Sequence, residues 1–343
     1  MSVELKGLLE RLLLGQSLTE SEAYALLQTL TDPAVPPAMA GALLAALRAK
    51  GETADEVRGF ARAMRALARS AQLPAVGDTI DIVGTGGDSS HTYNLSTGAA
   101  LLTVAAGAKV VKHGNRSISS RSGSADLLEA LGLPIPLDEH SAAQCLASTG
   151  FTFLFAPHYH PAMKAIAPVR AALGVRTVFN LLGPLANPAE PPFQLTGAFS
   201  EKAAALMADT LAGMPIRRAF VVHGEPGWDE PTPVGSFLLY DVHPGQVTCS
   251  TRSAADFGLP SCSAEDLRGG DAAYNAAALR AVFEGRDRGP HRDALVMSAA
   301  LALELMGIAA NPLAAAALAI ATIDSGAAAN TLRSLSAFGA SLS

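Results

Sequence analysis

Residues 3–70 place apolar side chains at helical spacing and nowhere alternate as a half-buried strand does. "LKGLLERLLLG" reads as a helix closed by Gly15. "SLTESEAYALLQTL" offers Ser17 or Thr19 as a cap and carries Glu20 and Glu22 in its first turn. "PPAMAGALLAALRAKG" is a third helix. "TADEVRGFARAMRALARSA" is a fourth, with Thr53 and Glu56 at the spacing of a capping box. "LPAVGDT" then breaks the pattern, and short β-branched runs alternate with helices. "TIDIVG", "AKVVKHG", "FTFLFAP", "FQLTGAF", "RAFVVHG" and "SFLLYDV" predict strands. Helices are expected at 96–107, 124–132, 139–149, 161–173, 200–213, 263–267, 271–284 and 292–307.

This pattern predicts an α/β protein in two parts. A small all-helical N-terminal domain spans 1–72, joined by helices near 165–190. A large α/β domain spans 73–343, with a mostly parallel central sheet and helices packed around it. The last strands, near 236–252, fit an antiparallel edge. The apolar stretch 294–322 holds Glu304 and is cut by Gly307, Asn311 and Pro312, so it predicts two short helices rather than a membrane span.

Composition narrows the function. Hydrophobic residues make up 49% of the 343 and charged residues only 16%, which predicts a large core. A formal net charge of -6 argues against nucleic acid or an anionic membrane as the main partner. Cys145, Cys249 and Cys262 are too few and too scattered for a disulfide framework, which fits reduced thiols in the cytoplasm. "MSVELKGLLERLLLGQSL" has the charges of an amphipathic helix rather than of a signal peptide.

Against that acidic background "KHGNRSISSRSGSAD", 112–126, stands out. It follows a buried-looking strand and supplies Lys112 as a point charge, Arg116 as a fork for phosphate oxygens and a set of small hydroxyls. One βα unit earlier, "DIVGTGGDSSHTYNLSTGAA" ends a strand in Gly84, Gly86 and Gly87. A helix then opens with Asn94, Ser96 and Thr97 as donors in its first turn. Glycines at a strand end admit close approach of backbone N–H groups to an anion, and the helix start adds its own. A tight turn with a serine cap explains the glycine segment equally well. Two such loops at adjacent strand ends point to one ligand with more than one phosphate. Asp229 and Glu230 are either a solvated acidic pair or hard ligands for magnesium. Arg170 suits either a helix surface or a ligand carboxylate. His158 and His160 in "HYH" lack a third ligand nearby, so they are read as pocket wall; His223 and His291 are read as structural.

"GTGGD", "NLST" and "KHGNRSISSRSGSAD" resemble the signature segments of the anthranilate phosphoribosyltransferase family, as do "HPAMKAIAPVRAALGVRTVFNLLGPLANPA" and "VVHGEPGWDE". The resemblance runs in order along nearly the whole chain, to "IDSGAAA". It implies a helical domain beside an α/β domain, and magnesium-dependent transfer of phosphoribosyl from 5-phosphoribosyl-1-pyrophosphate to anthranilate. By motif, it implies that Gly84, Gly87, Asp88, Thr92, Asn94, Leu95, Ser96 and Thr97 hold the phosphoribosyl donor. With them come Lys112, His113, Gly114, Asn115, Arg116, Ser117, Ile118, Ser119, Ser120 and Ser124. Ser96, Asp229 and Glu230 are implied as magnesium ligands. Gly84, Asn115 and Arg170 are implied for anthranilate, with His113 and His160 lining its path.

No Ser-His-Asp set or acid/base pair is implied, and none is required by an aromatic amine with a free lone pair. Lys112 and Arg116 act electrostatically. A homodimer packed through the helical domain is expected. The chain departs from the family pattern at Ser89, Trp228, Pro231 and Ser298. A nucleoside phosphorylase on the same scaffold, and a non-catalytic nucleic-acid-binding relative, are the competing readings; the acidic balance and the Asp229–Glu230 pair count against the second.

Overall fold

A computed structural model describes residues 4–87, 92–117 and 121–342. Four helices come first: α1 (Leu5–Leu13), α2 (Glu20–Leu30), α3 (Pro37–Lys50) and α4 (Ala54–Ala66). Thr19 caps α2 and Thr53 caps α4, each in a capping box closed by Glu22 and Glu56. Glu56 does more than cap. It is fully buried, accepts from Leu18 N at 2.8 Å and pairs with Lys50 Nζ at 2.9 Å, so one carboxylate ties α4 to α3 and to the turn between α1 and α2.

The remainder alternates strands and helices. It runs β1 (Thr79–Gly84), α5 (Leu95–Ala105), β2 (Lys109–Gly114), α6 (Ser124–Ala130), α7 (Glu139–Thr149), β3 (Phe151–Phe155), α8 (Ala156–Tyr159), α9 (Ala167–Leu173) and α10 (Phe179–Leu185). Then come β4 (Phe193–Gly197), α11 (Glu201–Ala212), β5 (Arg218–Gly224), β6 (Phe237–His243) and β7 (Gln246–Arg252). Four helices close the chain: α12 (Ala272–Phe283), α13 (Pro290–Leu305), α14 (Pro312–Asp324) and α15 (Ala327–Ser341).

The seven strands form one sheet in the order β3-β2-β1-β4-β5-β6-β7. The first five are parallel, and β6 and β7 add an antiparallel edge. The chain winds outward from β1 through β2 to β3, then returns to β4 on the other side of β1. That reversal opens a crevice at the carboxyl ends of β1 and β4, where open α/β sheets bind ligands.

Side chains alternate across the sheet, and β5 shows how this divides the core. Phe220 and Val222 face a layer built from α5–α7 and α12–α15. Ala219 and Val221 face α10, α11 and the N-terminal helices, which share one continuous core. Ile166 and Val169, at and just before α9, belong to that second core, and α11 packs on α4.

The structure differs from the expected elements in particulars. The helix expected at 161–173 is a 3-10 turn, Pro161–Lys164, followed by α9. Pro168, in the first turn of α9, cannot continue a helix from the preceding turn. The segment 263–267 is a 3-10 turn rather than an α-helix. Helix α10 carries Gly183 and Pro184, which hid it, and the Ala/Ser-rich α15 lacks a clear periodic stripe. Among the described residues no single helix is long and apolar enough to cross a membrane; apolar residues of α14 and α15 lie in the large core.

Replacing Glu56 should test the N-terminal bundle. Glu56→Ala leaves the Lys50 ammonium and the Leu18 N–H buried without their partner, and should lower unfolding stability by about 3 kcal/mol. Chemical denaturation measures this.

Candidate active site

Four neighbouring strands end in glycine: β2 at Gly114, β1 at Gly84, β4 at Gly197 and β5 at Gly224. The loop after β5 folds back over the last three of those ends. A Cβ on Gly197 would stand 1.4 Å from Asp229 O, and one on Gly84 would stand 2.4 Å from Asp229 Oδ2. Only glycine lets the acidic pair reach the crevice. Asp229 accepts from Gly86 N at 2.5 Å and from the Thr85 hydroxyl at 3.4 Å. Glu230 accepts from the Thr92 hydroxyl at 3.0 Å and from Ser96 N, in the first turn of α5, at 3.2 Å. Two N–H groups expected for phosphate are therefore engaged by carboxylates.

A cavity of about 660 Å³ opens between the ends of β1 and β2, the Asp229–Glu230 loop and the helices α4, α9 and α10. The structure brings to its wall Gly84, Gly87, Thr92, Asn94, Ser96, Lys112, His113, Gly114, Asn115, Arg116, Ser117, Ser124, His160, Arg170, Asp229 and Glu230. Leu95 and Thr97 do not reach it; both side chains are buried on the inner side of α5. Asp88, Ile118, Ser119 and Ser120 lie outside the described residues, as does Ser89. Trp228 and Pro231 do not line the cavity, and the Trp228 ring is packed in the large core.

The two loops are joined. Asn94 Nδ2 donates to Ser122 O at 3.0 Å, and Ser122 Oγ donates to Asn94 Oδ1 at 3.1 Å. Lys112 is buried and donates to Ile82 O and, at 3.3 Å, to Ser96 Oγ. Burial pulls its ammonium down to about 8, against the attraction of Asp81, Glu230 and Asp229. It therefore stays mostly charged at neutral pH. Asp81, pushed up to about 6 by burial, accepts from His113 N at 3.2 Å and from Asn187 Nδ2 at 2.9 Å. Arg116 lines the cavity, and its guanidinium also forks onto Glu129 at 2.6 Å and reaches Asp126 at 2.8 Å.

Arg170 differs. Its guanidinium carbon lies 4.8 Å from the Phe179 ring centre, and it has no acidic ion-pair partner among the described residues. Burial lowers its pKa from the ordinary value. A half-buried cation beside an aromatic face suits an aromatic carboxylate.

His113 Nδ1 lies 3.1 Å from Gly183 O, which only accepts, so that nitrogen carries the ring proton. His113 Nε2 then accepts from His160 Nε2, 3.2 Å away. Burial drives both toward the neutral form, His113 to about 3 and His160 to about 4. His223 Nδ1 meets Ala198 O at 2.8 Å and His291 packs on Tyr93, so both are structural.

Some residues at the site had no local signal. Asp81 and Asn187 act across the fold. Lys164, Phe179 and Asn180 line the cavity. Arg176 holds Gly87 O with its side chain while its own carbonyl accepts from Arg48 of α3, which ties the glycine loop to the helical bundle.

The comparisons with known proteins agree with this geometry. Residues 6–68 match the "Glycosyl transferase family, helical bundle domain", and residues 76–329 match the "Glycosyl transferase family, a/b domain". The chain is 46% identical over 329 residues to an anthranilate phosphoribosyltransferase of Rhodospirillum rubrum, covering 96% of this chain and 94% of the relative. It is 47% identical over 334 residues to that of Solibacter usitatus, covering 97% and 98%. Among solved structures, anthranilate phosphoribosyltransferase from Thermus thermophilus superimposes with a TM-score of 0.90 at 41% identity, over 97% of this chain and 99% of that one. The Saccharomyces cerevisiae enzyme in complex with PRPP and Mg gives 0.89 at 26% identity, over 99% of each chain.

The buried histidine pair makes stability depend on pH. Unfolded histidines titrate near ~6.5, so between that value and the depressed folded values the unfolded chain binds protons that the folded chain refuses. Stability therefore falls as pH drops through this window. His160→Asn removes one such group. The parent chain should lose about 1.4 kcal/mol more per pH unit than the variant between about pH 6 and 4. Urea melts at several pH values compare the two slopes.

Proposed function

The chain belongs to the anthranilate phosphoribosyltransferase family, and we propose that the crevice at the ends of β1, β2 and β4 is where it works. The enzyme transfers phosphoribosyl from 5-phosphoribosyl-1-pyrophosphate to the amine of anthranilate, a step of tryptophan biosynthesis. The amine nitrogen bonds to ribose C1, the C1–oxygen bond to pyrophosphate breaks, and the amine gives up one proton. The observation that carries the site assignment is the Asn94–Ser122 link, which makes the two loops one wall of a single cavity.

In this reading the donor lies against Gly84–Gly87 and the loop from Lys112 to Ser117. The Lys112 ammonium, buried and fixed, offsets charge that gathers on the leaving pyrophosphate. Arg170 binds the anthranilate carboxylate beside Phe179, with Gly84 and Asn115 near the ring and His113 and His160 along its path. The neutral histidines add no charge there. No side chain acts as a strong base, and positioning carries the rate.

The acidic pair fits magnesium. Asp229 and Glu230 are hard oxygen ligands that line the cavity, where Gly86 N, the Thr92 hydroxyl and Ser96 N donate to them. Among the described residues there is no cluster of three or more His, Cys, Asp or Glu. Magnesium needs none, because it takes one or two carboxylates and completes its shell with water and substrate phosphates. Asp229, Glu230 and Ser96 would hold it, and when bound it would neutralise the pyrophosphate oxygens. A nucleoside phosphorylase has no such need for the pair.

We further propose a helical part over 1–72 and an α/β part over 73–343, with dimerisation through the former. Leu13 and Leu14 of the α1 end are 65% and 72% exposed, more apolar surface than a solvated helix end needs. Three free thiols and the acidic surface favour a cytoplasmic enzyme without nucleic-acid or membrane partners.

Steady-state assays following loss of anthranilate fluorescence test the assignment. Arg170→Ala should raise the KM for anthranilate by about tenfold or more while leaving the donor KM within about twofold. Asp229→Asn combined with Glu230→Gln should lower kcat/KM for the donor by about a hundredfold and flatten its magnesium dependence. An unchanged anthranilate KM in Arg170→Ala would remove that residue from the acceptor site.

A further inference from the structure

Asn275 of α12 is 2% exposed and lies 181 residues from the Asn94 it touches. Its amide is oriented without ambiguity. Gly270 N donates to Asn275 Oδ1 at 2.8 Å, and a backbone N–H can only donate. The other end of the amide is therefore Nδ2, which donates to Asn94 Oδ1 at 2.9 Å and to Gly270 O at 3.3 Å. Asn94 Oδ1 thus receives two donors, Asn275 Nδ2 and Ser122 Oγ. That settles the second amide too: Asn94 must present Nδ2 on its other side. One hydrogen of Nδ2 goes to Ser122 O, and Asn94 lines the cavity.

The backbone around this relay is closely fitted. Tyr93 N donates to Leu267 O at 3.2 Å, and Thr92 forms a β-bridge with Arg268. A Cβ on Gly269 would stand 2.7 Å from Thr92 O. The strap 267–270 therefore lies on the entry to α5, with Asn275 beneath it as the side chain that reads the strap's N–H and passes its polarity on.

We propose that Asn275 is a positioning residue for the phosphoribosyl donor. It sets the Asn94 amide so that an N–H donor, not an oxygen, faces the anionic ligand, and through Ser122 it keeps the second loop in register with the first. This rests on the reading of Asn94 as part of the donor site. Turned over, Asn94 would direct its oxygen at phosphate or ribose hydroxyl oxygens and repel the former.

Four variants separate this role from packing. Asn275→Ala removes the relay and should raise the donor KM about fivefold, as expected for one lost hydrogen bond, with the anthranilate KM within about twofold. Asn275→Asp keeps the size and still accepts from Gly270 N, yet it faces Asn94 Oδ1 with a second oxygen. It should therefore be worse than alanine, raising the donor KM more than about tenfold. A side chain that only fills space predicts the opposite order, with aspartate closest to the parent. Asn94→Ala combined with Asn275→Ala should be no worse than Asn94→Ala alone, since the second residue acts through the first.

Melting temperatures within a few degrees of the parent mark folded variants; if Asn275→Ala does not fold, the aspartate variant decides. Should Asn94→Ala raise the donor KM while both Asn275 variants leave it unchanged, the positioning role is overturned and the donor site stands. Should Asn94→Ala itself leave the donor KM unchanged, the donor-site reading of Asn94 falls and takes the proposal with it.

Discussion

Parallel pairing of β1 with β2 on one side and β4 on the other is the constraint on which the site depends. Parallel strands send their carboxyl ends to the same edge of the sheet. The glycine loop after β1 and the cationic loop after β2 therefore leave side by side, and the return of the chain to β4 opens the crevice beneath them. The glycines at the ends of β1 and β4 then admit Asp229, which would otherwise collide with their side chains. Cations, hydroxyls, backbone donors and an acidic pair meet in one cavity because the register of three strands is fixed.

The charges in that cavity are arranged so that each has a reason to remain ionised. Lys112 is out of water but sits among Asp81, Asp229 and Glu230. Asp81 is deeper still, and Asn187 and the His113 N–H hold it. Arg170 lies against Phe179, while burial keeps the histidine pair neutral. The result is a cavity polarised along its length. The end near Lys112 is rich in both signs of charge and in oriented N–H groups; the end near Arg170 offers Arg170, Lys164 and the face of Phe179.

Much of this was legible in the residues themselves. The capping pairs Thr19–Glu22 and Thr53–Glu56 mark helix starts because cap and partner are three residues apart. The parallel strands read as short β-branched runs because both faces are buried. Where local grammar fails, a distant contact decides. Nothing local to Arg116 shows that Glu129 on α6 engages its guanidinium. Leu95 and Thr97 follow a binding motif but lie on the side of α5 that faces the core. Asp81, Asn187, Arg176 and Asn275 carry no signature, because what they do depends on partners brought near only by the sheet and its crossovers. The glycines that end β1, β4 and β5 were visible, but the approach of the Asp229–Glu230 loop that needs them was not.

The most direct measurement is a crystal structure of the chain with 5-phosphoribosyl-1-pyrophosphate and magnesium. The account predicts the pyrophosphate between Gly84–Gly87 and the loop from Lys112 to Ser117, contacted by both, with the Asn94–Ser122 hydrogen bonds intact. A donor held by one loop alone, or seated elsewhere on the protein, would contradict it.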